Sequence, residues 1–384
     1  MKEQFEQLLE RSISLEASDL HISSVEPPFF RCQGALMTPS DLAWPKNGIQ
    51  ELLQLLLNDR QSKAFEDDRS LDLAYSLPRG DRFRLNLYFE RNRPALAVRR
   101  LNDSIQDLQS LNLPESLNKI PELTNGLVLI TGPTGSGKST TLSATIDQIN
   151  RTKAFHIITI EDPIEQLHQS NKSLIHQRQL YRDVPSFSQG VKDALREDPD
   201  ILLVGEMRDQ ETMKAAITAA ETGHLVFSTL HTGDAVGTIN RILGGFSAEE
   251  QRTLRHQLSM VIRAVVAQIL VPTRDNDRRI PIVEVLWATK PVCNHIRTGR
   301  LEQIYSLMES GAQHGMITRE QSLADHVHNG FVNLDEALRL SREPKTLTNL
   351  LELKDEEARK AAEEAIAALE LAEFSDQAEV TTHS

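Results

Sequence analysis

Short apolar runs set between polar, glycine-bearing turns mark the middle of the chain: Leu127–Ile130, Ile157–Ile160, Ile201–Val204 and Leu225–Leu230. Each is too short for a helix, and amphipathic helical stretches separate them, a pattern that predicts an α/β domain with a largely parallel sheet. The pattern upstream is different. Phe5, Leu8 and Leu9 fall at helical spacing, and residues 18–23 alternate polar and apolar as a half-buried strand does. Pro27-Pro28 breaks that strand, and Phe29–Gly34 resumes as strand and turn. A helix is predicted over Gly48–Asn58. Strands follow over Leu71–Leu77, Arg82–Phe89 and Ala95–Leu101, the first two separated by the turn Pro78-Arg79-Gly80-Asp81. Strands with interspersed helices imply a small α+β domain over residues 1–101. Residues 102–121, with Pro114 and Pro121, read as a linker whose leucines pack on a neighbouring surface. Beyond Phe246 the pattern predicts helices over Glu249–Leu270, Pro291–Arg297, Leu301–Ser310 and Glu320–Asn329, completing a domain over 122–345. A tail over 346–384 follows, helical over Leu350–Glu373 and disordered over Ser375–Ser384.

The first of the apolar runs leads into Gly132-Pro133-Thr134-Gly135-Ser136-Gly137-Lys138-Ser139-Thr140. This fits G-x-x-x-x-G-K-[ST] with a strand before it and a helix after it, the context that a phosphate-binding loop requires. Glycines let the main chain approach phosphates closely, and the helix N-terminus behind the loop favours an anion. Lys138 is expected on the β- and γ-phosphates and the Ser139 hydroxyl on Mg²⁺, so the chain is expected to bind ATP with Mg²⁺.

The other runs also end in residues suited to chemistry, and ligands of open α/β sheets bind outside the carboxyl ends of the strands. Glu161, in ITIEDPIE, is expected over the γ-phosphate, orienting or deprotonating the attacking water; the competing reading is a helix-start cap shared with Asp162 and Glu165. Glu206 ends DPDILLVGE, the second nucleotide motif, where an acid holds Mg²⁺ directly or through water. It is Glu where Asp is more usual, and it follows a glycine. Asp198 and Asp200 read as turn and cap residues. His231, at the carboxyl end of its strand, is a candidate donor to the γ-phosphate, whereas His224 at the other end reads equally as a core residue. Phosphoryl transfer needs cations on the developing charge, and Arg82, Arg84 and Arg99 are candidates from the first domain, with Arg208 a weaker one.

Composition narrows the class. With 384 residues, 39% hydrophobic and 25% charged, the chain is an ordinary globular protein of two or three domains. It has no run long enough to span a membrane and no secretory signal at its start, so a cytoplasmic location is expected. Cys32 and Cys293 stand far apart and suggest neither a disulfide framework nor a zinc site. Of the net charge of −13, residues 351–384 carry −7, which leaves the body mildly acidic. That balance, with 5% aromatic residues, argues against a nucleic-acid translocase.

Taken together, ASDLHI (17–22), RFRLN (82–86), GPTGSGKSTT (132–141), ITIEDPIE (158–165), ALREDPDILLVGEMRD (194–209), AAETGHLVFSTLHT (219–232) and GMITREQSLADHV (315–327) resemble the secretion-type hexameric ATPases. Within them the chain is most similar to the type IV pilus retraction motors PilT and PilU, over residues 1–345. The resemblance implies a PAS-like N-terminal domain, a RecA-like P-loop ATPase domain with a helical C-terminal part, and a ring of six subunits, either identical or mixed with a paralogue. It further implies Glu161 as catalytic carboxylate, Glu206 as Walker B acid, His224 and His231 as a histidine box at the nucleotide, and Arg82 and Arg99 as arginine fingers. The implied work is pilus retraction from the cytoplasmic face of the inner membrane, docked on a platform protein; an assembly or type II secretion ATPase is the alternative. One segment departs from the pattern. Where retraction motors carry A-I-R-N-L-I-R-E-G-K, residues 291–300 read PVCNHIRTGR, with Cys293, His295 and Thr298 in place of Arg, Leu and Glu. That departure leaves an accessory, PilU-like role open.

Overall fold

The structure, a computed structural model, describes residues 1–39, 44–101 and 104–356. It contains two sheets. The first is built from α1 (Lys2–Ser14), β1 (Asp19–Ile22), β2 (Phe29–Cys32), β3 (Ala35–Met37), α2 (Gly48–Leu56), α3 (Asp59–Asp68), β4 (Ser70–Ser76), β5 (Arg82–Glu90) and β6 (Arg93–Leu101). Its strands run antiparallel in the order β3-β2-β1-β6-β5-β4. Strand alternation divides its faces. Phe83, Leu85 and Leu87 of β5 point into a core with Phe5, Leu9, Ile49, Leu52 and Phe65 of the helices. Arg84 and Asn86, between them, lie on the opposite face. Register places Asp19, Arg99 and Arg84 in one row across β1, β6 and β5, with Ala97, Asn86 and Asp72 in the next row. Helix α3, absent from the expectations above, starts at a capping box in which Asn58 and Gln61 exchange hydrogen bonds.

Short 3₁₀ turns at Leu108–Leu111 and Glu115–Glu122 connect the two sheets. Leu117 and Ile120 are buried with Leu142, Ile146 and Ile149, and Leu108 is buried as well, so the linker packs on the phosphate-loop helix, as its leucines suggested.

The second sheet comprises β7 (Gly126–Thr131), α4 (Lys138–Thr152), β8 (His156–Glu161), β9 (Leu174–Gln179), α5 (Phe187–Ala194), β10 (Ile201–Val204), α6 (Gln210–Glu221), β11 (Leu225–Leu230), α7 (Ala235–Gly244), α8 (Ala248–Val261), β12 (Ile262–Pro272) and β13 (Arg279–Trp287). Its order is β13-β12-β7-β11-β10-β8-β9, parallel throughout except for the β12–β13 pair. Every residue of β7, β10 and β11 is buried, because helices cover both faces. Helices α9 (Lys290–Thr298), α10 (Ile304–Glu309), α11 (Arg319–His328) and α12 (Leu334–Leu340) follow, and the chain is helical again over 344–356. The expected helix Leu350–Glu373 thus begins earlier, and its portion beyond 356 lies outside the described residues, as do Asn102 and Asp103 of the linker and the Ser375–Ser384 segment. Among the described residues no helix is long and apolar enough to cross a membrane.

One element expectation fails. Glu249–Leu270 is not a single helix: α8 stops at Val261, and Ile262–Pro272 is a strand between β7 and β13. No Gly or Pro punctuates the junction, so the apolar periodicity ran on unbroken. The β-branched content of IRAVVAQILV and its position beside β7 settle it as strand. Strand β13 was missed as well; Pro281 is accommodated there because β13 is the sheet's edge.

Candidate active site

Four adjacent parallel strands, β7, β11, β10 and β8, bring their carboxyl ends to one edge of the sheet. The glycine-rich loop leaves β7, Glu161 is the last residue of β8, Glu206 follows β10, and His231 follows β11. A cleft of about 270 Å³ is lined by Lys138, Ser139, Glu161, Glu206 and His231 together with Asp162 and Arg208. The structure therefore gathers in one place residues that lie far apart in sequence.

The loop is shaped by β12. Gly132 has φ +143°, and a Cβ there would lie 2.1 Å from the Gln268 carbonyl oxygen; one on Gly137 would lie 2.7 Å from Gln268 Nε2. Gln268 is buried, and its Oε1 accepts the Thr141 hydroxyl at 3.0 Å, tying the first turn of α4 to the strand beneath the loop. Sequence reading passed over Gln268 because it lay in the supposed helix, although a glutamine inside VVAQILV was the available signal. Lys138 Nζ donates to the carbonyls of Gly132 at 2.8 Å and Pro133 at 3.0 Å. Burial pulls its pKa down, while Glu206 and Glu165 oppose that shift.

The acids are held individually. Glu161 Oε1 accepts the Thr159 hydroxyl at 2.6 Å and Gln177 Nε2 at 3.1 Å; burial raises its pKa, and these two donors, followed by the Glu165 backbone N–H, act against the rise. Glu206 accepts from Arg208 Nε at 2.8 Å and lies 3.1 Å from His231 Nε2. The glycine before Glu206 has a local cause: a Cβ at 205 would sit 3.1 Å from the Ile160 carbonyl oxygen, where β10 and β8 converge. Asp162 is pushed up to about 6, chiefly by burial and then by Asp72, against Arg208 and Arg84.

The arginines separate by position. Arg82 is 3% exposed and donates to the backbone carbonyls of Glu165 (2.8 Å) and Ile164 (2.6 Å). Within this chain it therefore clamps the segment after Glu161. Arg84 pairs with Asp72 at 3.1 Å and Glu165 at 3.4 Å, and Arg99 with Asp19 at 2.8 Å. Arg84 and Arg99 line a larger cavity of about 640 Å³ between the first sheet's helix-free face and Thr134–Thr140. His224 stands apart. It precedes β11, with Nδ1 2.9 Å from the Ala219 carbonyl oxygen, at the end opposite His231. Six strand residues separate the two, about 20 Å. Within one chain the two histidines thus lie at opposite ends of β11, and of the two His231 borders the cleft.

Two outcomes follow from this geometry. Gly132→Ala abolishes nucleotide binding in a titration with a fluorescent ADP analogue, whereas Gly135→Ala, where a Cβ meets nothing within 4 Å and the strain is that of a φ of +78° alone, weakens binding but keeps measurable affinity. For Asp162, the folded-state pKa is above the unfolded value, so its contribution favours folding at low pH and is lost as pH rises through about 6. Asp162→Asn should match the parent at pH 4 and exceed it above pH 6, by on the order of 2 kcal/mol, in denaturant unfolding followed across that range.

Comparison with known proteins places the chain. The family described as "Type II/IV secretion system protein" matches residues 2–354. The type IV pilus retraction ATPase PilT of Pseudomonas aeruginosa is 41% identical over 340 residues, covering 88% of this chain and 98% of that protein. The type IV pilus ATPase PilU of the same organism is 35% identical, covering 87% and 88% respectively. Among solved structures, the pilus retraction motor PilT with bound ADP superposes with a TM-score of 0.79 at 38% identity, covering 89% of this chain and 98% of that one. These relatives match the chain over nearly nine-tenths of its length, and the chain belongs to the type II/IV secretion system protein family, on its branch of type IV pilus retraction ATPases.

Proposed function

We propose that this chain is the ATPase subunit of a six-membered ring motor that withdraws type IV pili. One observation carries the reading: the phosphate loop, Glu161, Glu206 and His231 border a single cleft at the carboxyl edge of the parallel sheet. In it the backbone N–H groups of Thr134–Thr140 cradle the triphosphate of ATP, and Lys138 leaves its own loop's carbonyls for the β- and γ-phosphates. Ser139 and Glu206 offer the hard oxygen donors that suit Mg²⁺, and both line this cleft. The ion, when bound, neutralises charge on the phosphates. Glu161 takes a proton from the attacking water; burial favours this by raising its basicity. His231, bonded to Glu206, reads the γ-phosphate. Arg84 and Arg99 supply positive charge from across the larger cavity, while Arg82 holds the segment that follows Glu161.

Mechanical output comes from closing that cavity. The first sheet (1–101) moves against the ATPase unit (122–345) about the linker 102–121, and a tail over 346–384 follows. Subunits of the ring, alike or alternating with a paralogue, dock on an inner-membrane platform protein from the cytoplasmic side. A second reading, an accessory motor of the PilU kind, is favoured by α9. Its buried Val292 and Ile296 keep the helix seated, while the altered positions flank that stripe, Cys293 and His295 half-buried and Thr298 exposed.

Glu161→Gln is expected to retain ADP and ATP binding while losing about 10²–10⁴-fold in hydrolysis, read by phosphate release. In the cell, deleting the gene should leave excess surface pili by microscopy. Loss of pili would identify an assembly motor instead, and an unchanged count with slower withdrawal would identify the accessory role.

A further inference from the structure

Thr159 and Glu161 lie two residues apart on β8 and so share a face, and register sets Gln177 of β9 directly opposite Thr159. The three side chains meet at one atom. Thr159 Oγ1 and Gln177 Nε2 both donate to Glu161 Oε1, at 2.6 and 3.1 Å. The orientation of the Gln177 amide is dictated by its surroundings: the His168 N–H can only donate and meets Oε1 at 2.8 Å, so Nε2 faces Glu161 and the Gln166 carbonyl oxygen (2.8 Å). Thr159 is 1% exposed. A carboxylate oxygen has two in-plane lone pairs, and two donors fill those of Oε1.

We propose that Thr159 and Gln177 are positioning residues for ATP hydrolysis: by occupying Oε1 they fix the plane of the Glu161 carboxylate and make Oε2 the atom that receives the water's proton. This rests on the reading of Glu161 as the base. In the step concerned the water oxygen bonds to the γ-phosphorus, the bond from that phosphorus to the β–γ bridging oxygen breaks, and its electron pair leaves on ADP; the water's proton passes to Oε2. Donors to the ionised form also keep a buried carboxylate charged, and here the Glu165 backbone N–H adds to the two side chains and is left in place when either is changed. The other charged groups around Glu161 are Glu165 and Asp162 on its own segment, Lys138 from the phosphate loop, and Glu206 with Arg208 beyond β10. His231 beyond β11 and Arg84 from the first sheet complete the surround. None of these is removed when Thr159 or Gln177 is changed, so an altered profile reports the two donors.

The test uses the full-length protein with Mg²⁺ and ATP, in single-turnover hydrolysis across pH 5–9. Thr159→Val, nearly isosteric, should lower the rate about 10- to 100-fold with ATP affinity within about twofold. It should also move the acid limb of the profile up by about one pH unit. Thr159→Ser, which keeps the hydroxyl, should recover to within about threefold of the parent, and Gln177→Leu should shift the limb in the same direction as Thr159→Val. A parental rate and profile for Thr159→Val overturns the proposal, as does a loss confined to ATP affinity or one that Thr159→Ser shares. Glu161→Gln separates the two layers: if it still hydrolyses ATP, the assignment of the base fails; if it is inactive while Thr159→Val is normal, only the positioning role fails.

Discussion

Parallel pairing of β7, β11, β10 and β8 is the constraint on which the rest of the molecule depends. Side-by-side parallel strands direct their carboxyl ends to one edge, and strands about 4.8 Å apart keep four such ends within about 15 Å. The phosphate loop, Glu161, Glu206 and His231 come together for that reason alone. His224 gives the converse. It belongs to the same strand neighbourhood, but at the amino end, and the length of β11 removes it from the cleft.

Within the cleft, charge is balanced by short-range partners. Four carboxylates crowd one region: Thr159 and Gln177 donate to Glu161, Arg208 pairs with Glu206 and Arg84 with Glu165, and the same two arginines act at longer range on Asp162. Burial drives Glu161 and Asp162 toward the protonated form and Lys138 toward the neutral one. A triphosphate with its cation adds charges of both signs to this set, so occupancy of the cleft and the placement of Arg84, Arg208 and Lys138 are linked electrostatically.

The first sheet enters through its helix-free face. Helices α1, α2 and α3 cover one side, which leaves Asp19, Arg99, Arg84, Asn86 and Asp72 in two rows facing the phosphate loop. Arg82 and Arg84 are neighbours by alternation yet act in different directions. Arg82 grips backbone next to Glu161, and Arg84 reaches Glu165 and the larger cavity. Any movement of this sheet therefore bears on the segment that carries the acids.

Local signals in the sequence were enough for the phosphate loop, the strand ends bearing Glu161, Glu206 and His231, five of the six strands of the first sheet and the packed linker. These depend on periodicity, turn chemistry and motif spacing, which are properties of neighbouring residues. Other features were decided by contacts between distant segments. Helix and strand could not be told apart across 249–270, because an unbroken apolar run is compatible with either until β7 and β13 flank it. Gln268 under the loop and Gln177 beside Glu161 come from strands that pairing alone brings to the site. The division of labour among Arg82, Arg84 and Arg99 is likewise tertiary. A sequence identifies them as cations, but only the packing of one sheet against the other determines which backbone, acid or cavity each one meets.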